Sequence, residues 1–230
     1  MCGRFVGFRK LEELLKQFPI DKTACDTAAS YNIAPSQEIL AIVRREGENW
    51  LDKYHWGLVP FWAKDVAIGN RLINARAETV DQKPSFRNAF KKRRCLIPAD
   101  GFYEWQGIKG RKQPFYLTLP NQRPFAFAGL WEEWHAGSAP AAVYKSCAIL
   151  TTVASKSVEP VHHRMPAIIK PSKYGRWLDP DCSDPAELKD ILAHWIEMEM
   201  VATPISPQVN SARHNEPANI KPLEQMEIEF

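Results

Sequence analysis

The chain has 230 residues, 45% of them hydrophobic and 11% aromatic, enough apolar material for a real core and too much for a disordered polymer. Its formal net charge is only +3, so any nucleic-acid surface must be a local concentration of Lys and Arg. Five cysteines lie scattered without a CxxC pair, which argues against a zinc ribbon or a thioredoxin-like motif, and no stretch approaches the roughly 20 apolar residues of a membrane span.

With no charged n-region leading into an apolar run, the composition is that of a soluble protein in a reducing compartment, and the cytoplasm is expected. In chain order, "RKLEELLKQF" (9–18) places Leu11, Leu14, Leu15 and Phe18 at helical spacing. "EILAIVRRE" and "WLDKYHWGLV" read as strands separated by a Glu/Gly/Asn turn. "KPSFRNAFKKRR" (83–94) reads as a short helix capped by Ser85, with cations crowding its C-terminal end. Strand-like runs follow: "RCLIPADGFYEW", "QPFYLTL", "RPFAFAGLWEEW" and "YKSCAILTTVA", with polar Gly- and Pro-rich turns at "QGIKGRK", "PNQRP" and "HAGSAP". Helical patterns return at 171–179 and 184–196, and "ATPISPQVNSA" precedes a tail ending "EQMEIEF". The sum is an α+β fold: one domain over 1–230 with a mainly antiparallel, barrel-like β core and peripheral helices.

Several stretches put polar residues where a plain core strand would be apolar. In "INARAET", Asn74, Arg76 and Glu78 alternate, so in a strand they share one face, either solvated or lining a polar cleft. Glu104 sits among Phe102, Tyr103 and Trp105, surroundings that raise a carboxylate's pKa toward neutrality, although a rim Glu paired with an Arg would read the same. "VHHRMP" offers His162 or His163 for proton transfer and Arg164 as a planar fork for phosphate, or a satisfied structural histidine. Phe61 and Trp62 beside Lys64 suit either base stacking or core packing. The run "RNAFKKRR" (87–94) has five cations in eight residues and reads as a solvated helix end rather than a phosphate track. Cys2 directly follows Met1; trimming of Met1 would leave an α-amine and a thiol on one residue, with reference pKa values of roughly 7.7–8.0 and 8.5. Such a 1,2-aminothiol condenses with an aldehyde, first to an imine and then to a thiazolidine.

"MCGRF", "YNIAPSQ" (31–37), "WGLVPFWAKD" (56–65), "INARAET" (73–79), "CLIPADGFYEW" (95–105), "FAFAGLWEEW" (125–134), "HHRMP" (162–166) and "VNSARHNEP" (209–217) occur in that order. The set resembles the SRAP family (SOS response-associated peptidase) along essentially the whole chain. The resemblance implies covalent capture of abasic sites in single-stranded DNA by a mature N-terminal cysteine, with no cofactor, no metal, no membrane and a monomeric protein. It implies Cys2 as nucleophile, Asn74 orienting the amine, Glu104 as general acid/base and His162 assisting sugar ring opening and crosslink reversal. It implies Thr151 beside the lesion, Arg4, Arg76 and Arg164 on flanking phosphates, and Phe61 with Trp62 against stacked bases. His163 stands where many relatives carry aspartate. Other readings stay open: a cysteine (auto)peptidase using Cys2, Glu104 and His162, a noncovalent binder of modified bases, and an abasic-site lyase.

Overall fold

The computed structural model describes residues 2–108, 111–135, 143–193 and 199–223. The strands are β1 Phe5–Gly7, β2 Lys22–Thr23, β3 Ser30–Ile33, β4 Glu38–Arg45, β5 Glu48–Trp56, β6 Asn74–Arg76 and β7 Arg94–Ala99. They continue as β8 Gly101–Ile108, β9 Arg111–Thr118, β10 Phe125–Trp134, β11 Tyr144–Val153, β12 Arg164–Pro166, β13 Ile168–Ile169 and β14 Val201–Pro204. The α-helices are α1 Leu11–Gln17, α2 Arg87–Lys92, α3 Tyr174–Leu178 and α4 Pro185–Ala193. Among these residues no helix is long and apolar enough to cross a membrane.

One sheet runs β14-β9-β8-β1-β3. The other runs β12-β11-β10-β7-β4-β5-β2, and a parallel contact of His55 and Trp56 with Ser146 and Cys147 joins β5 back to β11. That contact bends the second sheet into a barrel-like ring. Most pairings are antiparallel; β5 and β6 against β11, and β2 against β5, are parallel.

Alternation explains why the strands look continuously apolar: both faces of the ring are covered. Ile39, Ala41, Val43, Ile97, Phe127, Cys147 and Ile149 point into the ring, where Phe5, Trp56 and Phe102 also pack. Ile42, Leu96, Ala128, Ala148 and Leu150 point outward under the helices, against Leu14, Phe90, Trp177, Leu188 and Ile191. The β4–β5 hairpin closes with Arg45 opposite Glu48 around Glu46 (φ 51°) and Gly47 (φ 83°), two positive-φ residues whose twist matches the strands.

Three expectations are corrected. "RCLIPADGFYEW" is two strands in two sheets, turning at Asp100–Gly101. The Phe8 amide and Arg9 Nε donate to the Asp100 carboxylate at 2.8 and 2.7 Å, and a Cβ on Gly101 would run into the Tyr116 ring. Ser85 does not cap α2; Phe86 is the cap residue without a side-chain bond, and the Lys83 carbonyl accepts from Phe86 and Arg87. Arg94 is not a solvated cation. It is buried, and its guanidinium donates to the carbonyls of Phe90, Lys91 and Trp177, tying α2 to α3. The strand in "INARAET" ends at Arg76, yet the alternation persists: Ala75 and Ala77 are buried while Arg76 and Glu78 are exposed. Lys109, Gly110, residues 136–140, the end of the helix read to 196 and the "EQMEIEF" tail lie outside the described residues.

Candidate active site

The site lies at one end of the ring, where β1, β6, β8 and the segment before β12 meet. The Tyr103 amide donates to Arg4 O at 3.0 Å, so the β1–β8 pairing continues beyond Phe5 toward Cys2. Cys2 is fully buried at the edge of the apolar ring interior. Burial, and then the nearby Glu104 charge, push its thiol well above the usual range. Asn74 on β6 donates from Nδ2 to Cys2 O at 2.7 Å, while its Oδ1 is buried without a partner among the described residues.

Glu104 shares the inward face of β8 with Phe102, whose ring packs edge-on against Phe127. That alternation sets a carboxyl at the mouth of an apolar core. It is 3% exposed, and burial raises its pKa from 4.5 to about 7. His162 Nδ1 lies 4.0 Å from Glu104 Oε2. The Arg164 amide donates to that nitrogen at 3.0 Å and Arg164 O lies 2.9 Å from it, so backbone holds the half-buried ring in place. Burial pushes the imidazole pKa down, which keeps it neutral near pH 7. His163 stacks on it with ring centroids 4.4 Å apart.

Beside this cluster, β11 pairs with β6 and β12, placing Thr151 opposite both Arg76 and Pro166. Thr151 is buried, and Arg164 Nη2 donates to Thr151 O at 2.8 Å. The rest of the Arg164 fork grips Glu78 at 2.6 and 3.0 Å. Arg76 is exposed beside them. Cys2, Asn74, Glu104, His162, Arg76, Thr151 and Arg164 are thus gathered at one end of the ring.

Arg4 donates to Asn32 Oδ1 and Val209 O, both at 2.8 Å, so its guanidinium is tied to the segment after β14 that walls the cavity at Glu104. Two of the expected residues sit elsewhere. Phe61 and Trp62 are exposed on the loop after β5, in depressions that share no lining residue with the one at Glu104. That loop folds back because Gly57 (φ 148°) and Gly69 meet backbone to backbone; a Cβ on Gly57 would lie 2.7 Å from Gly69 O.

An open cavity of about 380 Å³ leads to Glu104 and His162 and is also lined by Trp105, Lys112 and Asn210. Sequence reasoning assigned no role to these last three, nor to Asn32. The Trp105 indole donates to Asn210 Oδ1 at 2.7 Å. Asn32 Nδ2 donates to the carbonyls of Val209, Ser211 and His214, clamping the segment that forms the cavity wall. The available signal was the motifs "YNIAPSQ" and "VNSARHNEP" themselves, which the fold brings together. Among the described residues no group of three or more His, Cys, Asp or Glu is arranged to hold a metal.

Chemically, the site pairs a thiol held neutral with a carboxyl poised to exchange protons at neutral pH. A papain-like thiolate needs the opposite environment, one that lowers the thiol pKa.

Comparison with known proteins agrees with the motifs. The chain is 42% identical over 224 residues to "Abasic site processing protein YoqW" of Bacillus subtilis, covering 96% of this chain and 99% of that one. It is 32% identical over 194 residues to "Abasic site processing protein HMCES" of Xenopus tropicalis, covering 74% of this chain and 56% of that one. Among solved structures, a Bacteroides thetaiotaomicron protein shares the fold with a TM-score of 0.83 at 23% identity, covering 97% of this chain and all of that one. A Bordetella bronchiseptica protein has a TM-score of 0.76 at 26% identity over 89% of this chain and all of that one. The family described as SOS response associated peptidase (SRAP) matches residues 1–212, and the chain belongs to it.

Proposed function

We propose that this protein processes abasic DNA lesions by capturing them covalently in single-stranded DNA through Cys2. Removal of Met1 exposes the Cys2 α-amine. The amine adds to the C1′ aldehyde of the ring-opened sugar, and loss of one water gives an imine. The thiol then adds across the C=N bond, its proton passing to the ring nitrogen, and a thiazolidine results. Glu104 accepts a proton from the attacking amine and returns it to the departing hydroxyl, while Asn74 orients residue 2 and His162 assists sugar ring opening. Arg76 and Arg164 meet the flanking phosphates, with Thr151 beside the lesion.

One observation carries the reading: a buried carboxyl titrating near 7 beside a buried cysteine whose carbonyl is held by Asn74. The names of the relatives support the same lesion class. The peptidase reading fares worse, because burial and Glu104 disfavour the thiolate it would need.

The test is a denaturing gel of protein mixed with single-stranded DNA carrying one abasic site, with intact-mass analysis for Met1. A protease-sensitive shifted band that Cys2→Ala loses is the expected result. Cys2→Ala keeps the amine, so borohydride still traps its imine. Absence of any band from wild-type protein that has lost Met1 would overturn the proposal.

A further inference from the structure

A second cleft, of about 570 Å³, lies away from Glu104. It lies where the end of α2 meets β10 and the loop after β5, and Phe61, Asn88, Lys91, Lys92, Trp131 and His135 line it. Its two acidic groups are answered by arginines: Glu132 bonds Arg93 at 2.6 Å, and Glu133 lies 4.0 Å from Arg45. Lys91 and Lys92 are exposed and neither has an ion pair among the described residues, so the cleft carries surplus positive charge.

Two aromatic rings from distant parts of the chain complete it. Trp131 is fixed, edge-on to Tyr54 at 5.9 Å with the Arg45 guanidinium 5.8 Å from its ring. Phe61 is 56% exposed, its ring open to the cleft. A solvated helix end needs neither a cleft nor aromatic walls. Paired cations beside an exposed ring, backed by a half-buried one, are the chemistry that follows a single nucleic-acid strand, phosphates on the lysines and a base on the aromatic.

The position fits as well. Trp131 lies opposite Cys147 on β11, and Thr151 follows four residues along the same strand, about 13 Å away at roughly 3.3 Å per residue. We propose that this cleft is a second DNA subsite, in which Lys91 and Lys92 hold phosphates and Phe61 stacks a base of the strand flanking the lesion. The inference rests on the DNA reading above but has its own readout.

The experiment measures binding of undamaged single-stranded oligonucleotides across a salt titration, so no crosslink is required. With long flanks, Lys91→Gln/Lys92→Gln lowers the slope of log affinity against log salt by about 1.4, at roughly 0.7 for each phosphate no longer neutralised. Phe61→Ala weakens binding roughly tenfold with an unchanged slope. Lys16→Gln, on the exposed face of α1, alters neither. An oligonucleotide too short to span the two sites binds the double-lysine variant and wild type alike. A wild-type slope in the double-lysine variant, its melting temperature unchanged, would overturn the proposal and leave the cleft to a protein partner. If wild type fails to crosslink abasic DNA yet the slope falls as stated, the crosslinking mechanism fails and the subsite stands.

Discussion

Glu104 and Glu132 are both glutamates on strands, both 3% exposed, and burial raises the pKa of both. Their surroundings differ. Glu132, at the α2–β10 corner, has the Arg93 guanidinium at 2.6 Å, which offsets much of the cost of burying its charge. Glu104, at the mouth of the ring, has a neutral imidazole 4.0 Å away, and the charge that opposes its burial is the chain's own N-terminal amine rather than a guanidinium. Glu132 thus faces a permanently charged guanidinium, whereas Glu104 faces groups that themselves titrate and sits balanced between its two forms near neutral pH. A third, Asp52, sits at the far extreme: Lys145 and Arg45 at 2.7 and 2.9 Å hold its pKa down despite burial.

The sharpest test replaces Glu104 with Gln. Loss of a general acid/base lowers the crosslinking rate about a hundred- to ten-thousandfold and removes the Glu104 inflection near pH 7 from the rate profile, leaving that of the α-amine. Folding responds in the opposite direction. The carboxyl titrates at about 7 in the folded chain against 4.5 in its ordinary state, so its contribution to stability is full below 4.5 and is lost as pH rises through 7. The loss amounts to about 3 kcal/mol at alkaline pH. Glu104→Gln is therefore slower but more stable at pH 8, and urea unfolding at pH 5 and pH 8 measures the difference. A variant that crosslinks at the wild-type rate would make Glu104 the structural carboxylate of the pair.

Removing the counter-charge at the other corner gives a smaller effect. Arg93→Leu leaves Glu132 buried without its partner and costs about 1–3 kcal/mol near neutral pH. The loss fades as pH falls, because Glu132 can then take a proton. The double variant Arg93→Leu/Glu132→Gln recovers most of the stability, and a double-mutant cycle in urea reads the coupling. A cost that does not change with pH would mean that Arg93 acts by packing its stem, not through its charge.

The contrast between these carboxylates was half legible in the sequence. Alternation along "FYEW" set Glu104 on the face of Phe102, and aromatic surroundings pointed to its raised pKa. Helix α1, the β4–β5 hairpin and the alternating face of Asn74 and Arg76 followed from local pattern for the same reason: their determinants are near neighbours. Other features depend on pairings between distant segments. The parallel contact that closes the ring joins residues 55–56 to 146–147, and Arg4 finds its carbonyl partner 205 residues away. Nothing local distinguishes Arg94, folded back onto carbonyls, from its exposed neighbours Lys91 and Lys92. Likewise the corner at Asp100–Gly101 is set by Arg9 and Tyr116, which lie on other elements.

Arg164 offers the smallest and most revealing test, because here an exposed acid faces an arginine assigned to DNA. Glu78, 45% exposed in its side chain, occupies the Arg164 fork through both carboxylate oxygens. A carboxylate and a phosphate present the same pair of acceptors to a guanidinium, so Glu78 competes with the proposed DNA phosphate. The pair is partly solvated, and its contribution to stability is at most about 1 kcal/mol. Glu78→Gln should therefore leave the urea midpoint nearly unchanged while freeing the fork, strengthening binding to undamaged single-stranded DNA by up to about fivefold. Fluorescence anisotropy decides it. Weaker binding would mean that Glu78 instead holds Arg164 in position against Thr151, and the arginine's role would then be to fix β12 beside the site rather than to meet a phosphate.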